Sequence, residues 1–141
     1  MPHLEPVPER DCWELLGAAV TAQVSFWHED EIHAMPVNIM VRDGQVWFRT
    51  PDEGIKVRAA TANVRMAVAV APPPDGLDHL GVSTTARGPS RVADGPGGGI
   101  TVRPWAPEAR DGVWICVDVD TVVGRRLAPG GADATTDPDA V

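Results

Sequence analysis

A mainly β chain, closed as an antiparallel barrel with a few short helices, is the fold that three observations predict. Alternating or continuously apolar segments of strand length recur at short intervals along the 141 residues. Turn signals separate them, the strongest being Asp43-Gly44. The connections are too short for repeated βαβ crossovers, which leaves antiparallel closure.

Each element follows in order. Residues 1–7 read as a loose lead-in, and Pro8 to Leu16 as a short helix with acids in its first turn and Gly17 near its end. Trp13, Leu16 and Cys12 form its apolar stripe. Val20 to Trp27 and Ile32 to Val41 flank the acidic turn His28-Glu29-Asp30-Glu31 and make a hairpin. Asp43-Gly44 pairs Ile39-Met40-Val41 with Val46-Trp47-Phe48 in a second one. Glu53 to Asn63 is rich in alanine and reads as a helix, and Val64 to Ala71 as a buried strand. A proline-rich loop fills 72–79. Leu80 to Arg87 and Ser90 to Ala93 form a further strand or a bent pair, followed by a glycine-rich turn from Gly95 to Gly99. Pro104-Trp105-Ala106-Pro107 suits only a short exposed helix, with Trp105 at a cleft rim. Val113 to Asp120 alternates and is expected to pair with Val122 to Leu127. The segment 129–141, small and acidic, is expected to be disordered.

The chain is one domain, long enough to bury roughly 68–70% of its unfolded surface. A net charge of -8 argues against nucleic acid or an anionic membrane as partner. No apolar run approaches the ~20 residues of a membrane span, and the first residues carry no secretory signal, which makes the cytoplasm the expected location. Cys12 and Cys116 lack metal or redox spacing and read as reduced, semi-buried thiols, a disulfide being the alternative. His28, His33 and His79 form no zinc pattern, so no metal is expected; His33, on a strand, is the histidine that could reach a cleft.

The charge distribution holds one anomaly. Lys56 is the single lysine against eleven arginines, and it follows Arg49-Thr50 across a turn made by Pro51 and Gly54. Two cations and a hydroxyl thus converge where a strand hands over to a helix. A guanidinium offers a planar fork, an ammonium a point charge, and the helix start adds free N–H groups, which together suit a phosphate.

Met35-Pro36-Val37-Asn38, Asp43-Gly44, Phe48-Arg49-Thr50 and Gly54-x-Lys56, taken in order, resemble the pyridoxamine 5'-phosphate oxidase-like family of FMN-binding split barrels, in particular its small actinobacterial branch. Further likenesses are the Cys12 to Leu16 helix, Gly81-x-Ser83 to Arg87-Gly88, Pro104 to Pro107, and Gly124-Arg125-Arg126, so that the domain spans 8–127. The resemblance implies a six-stranded antiparallel split barrel, a homodimer, and FMN held in clefts at the subunit interface. It assigns Arg49, Thr50 and Lys56 to the phosphate, the strand carrying Val37 and Asn38 to the isoalloxazine ring, Phe48 to the ribityl region, and Ser83 to a polar contact. Arg125 and Arg126 are expected to pair with acids across the dimer.

Departures from the family narrow the activity. Val82 and Ile39 stand where aromatics are common, and the C-terminal substrate-phosphate residues of true pyridoxamine phosphate oxidases have no counterpart, so vitamin B6 oxidation is not expected. What the resemblance implies is an FMN-dependent oxidoreductase acting on a small molecule, with a non-catalytic flavin carrier or sensor as the alternative. A deazaflavin coenzyme is a second alternative, but its polyglutamate tail needs a basic groove that one lysine in an acidic chain does not supply. No catalytic side chain is assigned.

Overall fold

The computed structural model describes residues 2–72, 81–97 and 112–129. The proline-rich loop over 73–79, the segment around Trp105, and residues 130–141 lie outside the described residues. Within them the chain forms β1 (His3–Pro6), α1 (Glu9–Ala18), β2 (Thr21–His28), β3 (Glu31–Asn38), β4 (Met40–Arg42) and β5 (Gln45–Thr50). After these come α2 (Ile55–Thr61), β6 (Arg65–Val70), β7 (Val82–Ala93), β8 (Val113–Asp118) and β9 (Thr121–Ala128).

Local chemistry accounts for the hairpins. Glu29 and Asp30 both take positive φ (54° and 60°), as do Asp43 and Gly44 (50° and 76°). Two consecutive left-handed residues give the turn whose twist matches the flanking strands, so both loops close with two residues. The first hairpin ends earlier than the apolar run suggests: β3 stops at Asn38, not Val41. Ile39 turns inward, its N–H donating to the Val20 carbonyl at 2.9 Å, and β4 departs to pair with β5. In α1, Cys12 and Leu16 are one helical turn apart and fully buried, while Trp13 packs from the edge. Asn63, at φ 56°, ends the α2 segment and its Nδ2 donates to the Ser90 carbonyl at 3.0 Å.

All pairings are antiparallel, in the order β3-β2-β6-β7-β8-β5-β4, with β9 on β7 and β1 on β9. The sheet curls, bringing β3 against β5 without a shared ladder, and this opening is the split of a split barrel. Six strands, β2, β3 and β5 to β8, furnish fully or nearly buried side chains such as Val24, Val37, Phe48, Val68, Ala86 and Ile115. Each large one contributes about 1.5–3 kcal/mol by leaving water. Ala59 and Ala60 of α2 fit beneath them because their side chains are small.

Two expectations are corrected. The lead-in is not loose: His3 to Pro6 pairs with β9 from Ala128 to Arg125, and Arg126 reaches Glu5 at 2.7 Å. That acid lies in the same chain, so Arg126 already has a partner without a dimer. Nor do β8 and β9 pair with each other. The Asp118-Val119 backbone crosses over Gly88, where an added Cβ would lie 1.9 Å from the Asp118 carbonyl oxygen. Only a residue lacking Cβ admits that approach. The chain therefore changes sheets at Asp118 to Asp120: β8 pairs with β5 and the second half of β7, β9 with its first half.

Candidate functional site

Outward-facing residues of β2, β3 and β6 form a surface of unusual character. Reading across the paired strands gives Pro36–Gln23–Ala69, then Ala34–Ser25–Ala67, with Asn38–Thr21 at one end and Ile32–Trp27 at the other. None of these residues is charged, in a chain of net charge -8; Arg65, the remaining outward-facing residue of β6, is exposed and paired with Asp120. A cleft of about 450 Å³ opens in this face, lined by Thr21, Gln23, Ala34, Pro36, Ala69 and Ser83 together with neighbouring apolar residues. Small side chains from adjacent strands leave its floor flat. Thr21 Oγ1 donates to Asn38 Oδ1 at 2.8 Å, tying the ends of β2 and β3 together.

The expected site residues divide between the core, the cleft and the opening. Ser83 lines the cleft from β7, as does Pro36, so the Pro36-Val37-Asn38 strand runs along one of its walls. Val37 itself is 2% exposed and points into the core, offering the cleft only its backbone. Phe48 is fully buried among core residues, and its ring belongs to the packing. Alternation along β5 then sends Trp47 and Arg49 to the opposite face. Because β4 pairs Met40 with Trp47, Arg49 and Thr50 lie beyond that pair, alongside the end of β3 that carries Asn38.

Arg49 carries the clearest signal. Its guanidinium lies 4.9 Å from the ring centroid of Trp114, a cation–π arrangement that fixes the head group. Its Nε is buried and has no acceptor among the described residues. A buried donor without an acceptor costs about 1–3 kcal/mol, so it fits an acceptor brought from outside. Thr50 is 3% exposed. Lys56, in the first turn of α2, is half-buried, and burial holds its ammonium below the usual lysine range. No acid pairs with it among the described residues. Five other cations behave differently: Arg42, Arg58, Arg65, Arg91 and Arg126 each face a carboxylate. An anion with phosphate chemistry therefore fits Arg49 and Lys56. The fit rests on side chains, because α2 has seven residues and a correspondingly short dipole.

Two further expectations meet their outcome here. His33 does not reach the cleft: it stacks on Phe26 at 5.2 Å, with Nε2 3.1 Å from the His28 carbonyl oxygen. Both cysteines are free, and the Cys116 thiol is pushed up to about 12 by burial and the neighbouring Asp118 carboxylate. Trp47 and Trp114 meet edge to face at 6.4 Å, and with Cys116 they form a second buried cluster outside the barrel. Thr21 and Gln23 line the cleft without having been singled out in sequence, where they look like the solvent side of an ordinary strand. The available signal was register, since both face the Pro36-Asn38 strand.

Comparisons agree with this architecture. The described fold matches an FAD-binding protein from Mycobacterium smegmatis with a TM-score of 0.69 at 20% identity, covering 86% of this chain and 98% of that one. It matches an FAD-binding protein from Mesorhizobium loti with a TM-score of 0.71 at 15% identity, over 92% and 100% of the two chains. An FAD- and heme-binding protein from Mycobacterium smegmatis follows at 0.63 and 18%, over 94% and 77%. Identities this low speak for the fold alone. Among curated proteins none matches. The family model described as pyridoxamine 5'-phosphate oxidase matches residues 8–126, most of the chain. With that match added to the split barrel and its cleft, the chain belongs to the pyridoxamine 5'-phosphate oxidase family.

Proposed function

We propose that this protein binds FMN at a homodimer interface and serves as a small flavin-dependent oxidoreductase. The observation that carries the reading is the buried, unmatched Nε of Arg49, with the half-buried Lys56 ammonium at the start of the next helix likewise lacking an acid among the described residues. Arg49, Thr50 and Lys56 would hold the phosphate. The backbone of Pro36-Val37-Asn38 and the flat floor of Ala34 and Ala69 would bear the ring, with Ser83 at the far side of the cleft. Phe48 would act from the core, setting the position of the strand that carries Arg49. When bound, the flavin supplies hydride or electron transfer; the chain supplies orientation, charge and shelter from water.

The lining residues of the cleft include no titratable side chain, so protons at the ring would come from solvent and the chain would tune binding instead. Ion pairing of most described arginines leaves little extended positive potential. This favours FMN over a deazaflavin coenzyme with an anionic tail. A second copy would cover the β2–β3–β6 face, where Trp27 and Ile32 stand 59% and 76% exposed as a cross-strand pair.

Native mass spectrometry after incubation with an equimolar mixture of FMN, FAD and the deazaflavin coenzyme tests the reading. A dimer carrying two FMN molecules is expected. A monomer without flavin, or a dimer that takes only FAD, would overturn it. Reoxidation of the reduced holoprotein by a quinone faster than free FMN marks an enzyme, whereas an equal rate marks a carrier.

A further inference from the structure

We infer that Gln23 reads the pyrimidine edge of the isoalloxazine ring and sets the specificity of the cleft, a step that rests on the flavin reading above. The cleft has no charge to offer a ligand, so selectivity must come from neutral hydrogen bonds. Three of its lining residues have polar side chains: Thr21, Gln23 and Ser83. The Thr21 hydroxyl is already donated to Asn38. Ser83 lies two strands from Gln23 in the order β2-β6-β7, roughly 10 Å away at the usual strand spacing. Those two side chains therefore serve opposite sides of the cleft.

Gln23 stands at the centre of the flat face. Pro36 is its register partner on one side and Ala69 on the other, and neither can reach a polar atom of a ring laid over them. Its carboxamide has no hydrogen-bond partner among the described residues. A carboxamide presents one donor and one acceptor in a single plane. The pyrimidine edge of a flavin presents N3–H between two carbonyl oxygens, so one Gln23 side chain can accept from N3–H and donate to the adjacent carbonyl. The same in-plane pairing lets glutamine read a base edge bidentately. The ligand class is accordingly a planar heterocycle carrying an imide.

Binding of FMN and of N3-methyl-FMN, followed by flavin fluorescence and by the visible absorption band, tests the assignment in the native protein. The wild type should prefer FMN by roughly tenfold or more, the worth of a bidentate pair. Gln23→Ala should bind FMN more weakly by that factor and lose the preference, with the absorption band shifted. Gln23 is exposed, so the variant keeps its fold. Lys56→Ala is the control: it should weaken both ligands equally and leave their ratio intact. If Gln23→Ala binds FMN like the wild type, or still rejects the methylated ring, the inference is overturned. If Lys56→Ala changes neither affinity while Gln23→Ala behaves as expected, the phosphate seat is misplaced and the inference stands. If the wild type binds neither flavin, both fall together.

Discussion

Lys56 presents a half-buried ammonium with no carboxylate beside it among the described residues. Burial alone lowers its pKa, so the unfolded chain binds this proton more tightly than the folded one does. Stability from this group therefore rises as pH climbs through the depressed folded value, levelling off at the ordinary lysine value near 10.5. Lys56→Ala should accordingly melt slightly higher than the wild type near neutral pH without flavin. That advantage should shrink in melting curves recorded at alkaline pH. With FMN the order reverses: losing a charge-assisted contact should weaken binding by about 1.5–3 kcal/mol, read by titration. An unchanged affinity would remove Lys56 from the site. The lysine was legible in sequence because it is the only one. Phe48 was harder to place, since Val46, Trp47 and Phe48 of β5 are all buried and such a run does not reveal which face meets the core.

Among the elements, those defined by local chemistry were legible and those defined by distant contacts were not. Asp43-Gly44 and the Glu29-Asp30 turn announce their hairpins through residues that tolerate positive φ. β1 has no such signature: His3-Leu4-Glu5-Pro6 becomes a strand only because β9 offers an edge to pair with. The crossing of β8 into β9 was hidden for a related reason, since two linking residues between apolar strands normally read as a hairpin. Its cause is Gly88: an added Cβ would sit 1.9 Å from the Asp118 oxygen and 3.0 Å from the Val119 Cα. Both are backbone atoms, so relief requires moving a strand. Gly88→Ala should destabilise the protein by on the order of 3 kcal/mol in chemical denaturation, the upper range for overpacking. A cost below about 0.5 kcal/mol would show that β8 and β9 can separate from the bend without penalty.

For the whole molecule, the proposed dimer rests on the β2–β3–β6 face, whose Trp27 and Ile32 are the large exposed apolar pair. A stable dimer buries roughly 800 Å² on each partner. Trp27 and Ile32, opposite one another near the hairpin turn, would lie inside such an area. Trp27→Asp should leave the barrel folded, since the ring is largely exposed, yet yield monomers in light scattering and release FMN. A flavin-loaded dimer from this variant would place the interface elsewhere.

β7 is one unbroken strand of twelve residues whose first half pairs with β6 and β9 and whose second half pairs with β8. Neither half-sheet can open without stripping amide partners from the other. Deuterium uptake at β6, β7 and β8 should consequently proceed at a single slow rate set by global unfolding. Two blocks with distinct protection would show that the barrel breathes as independent leaves.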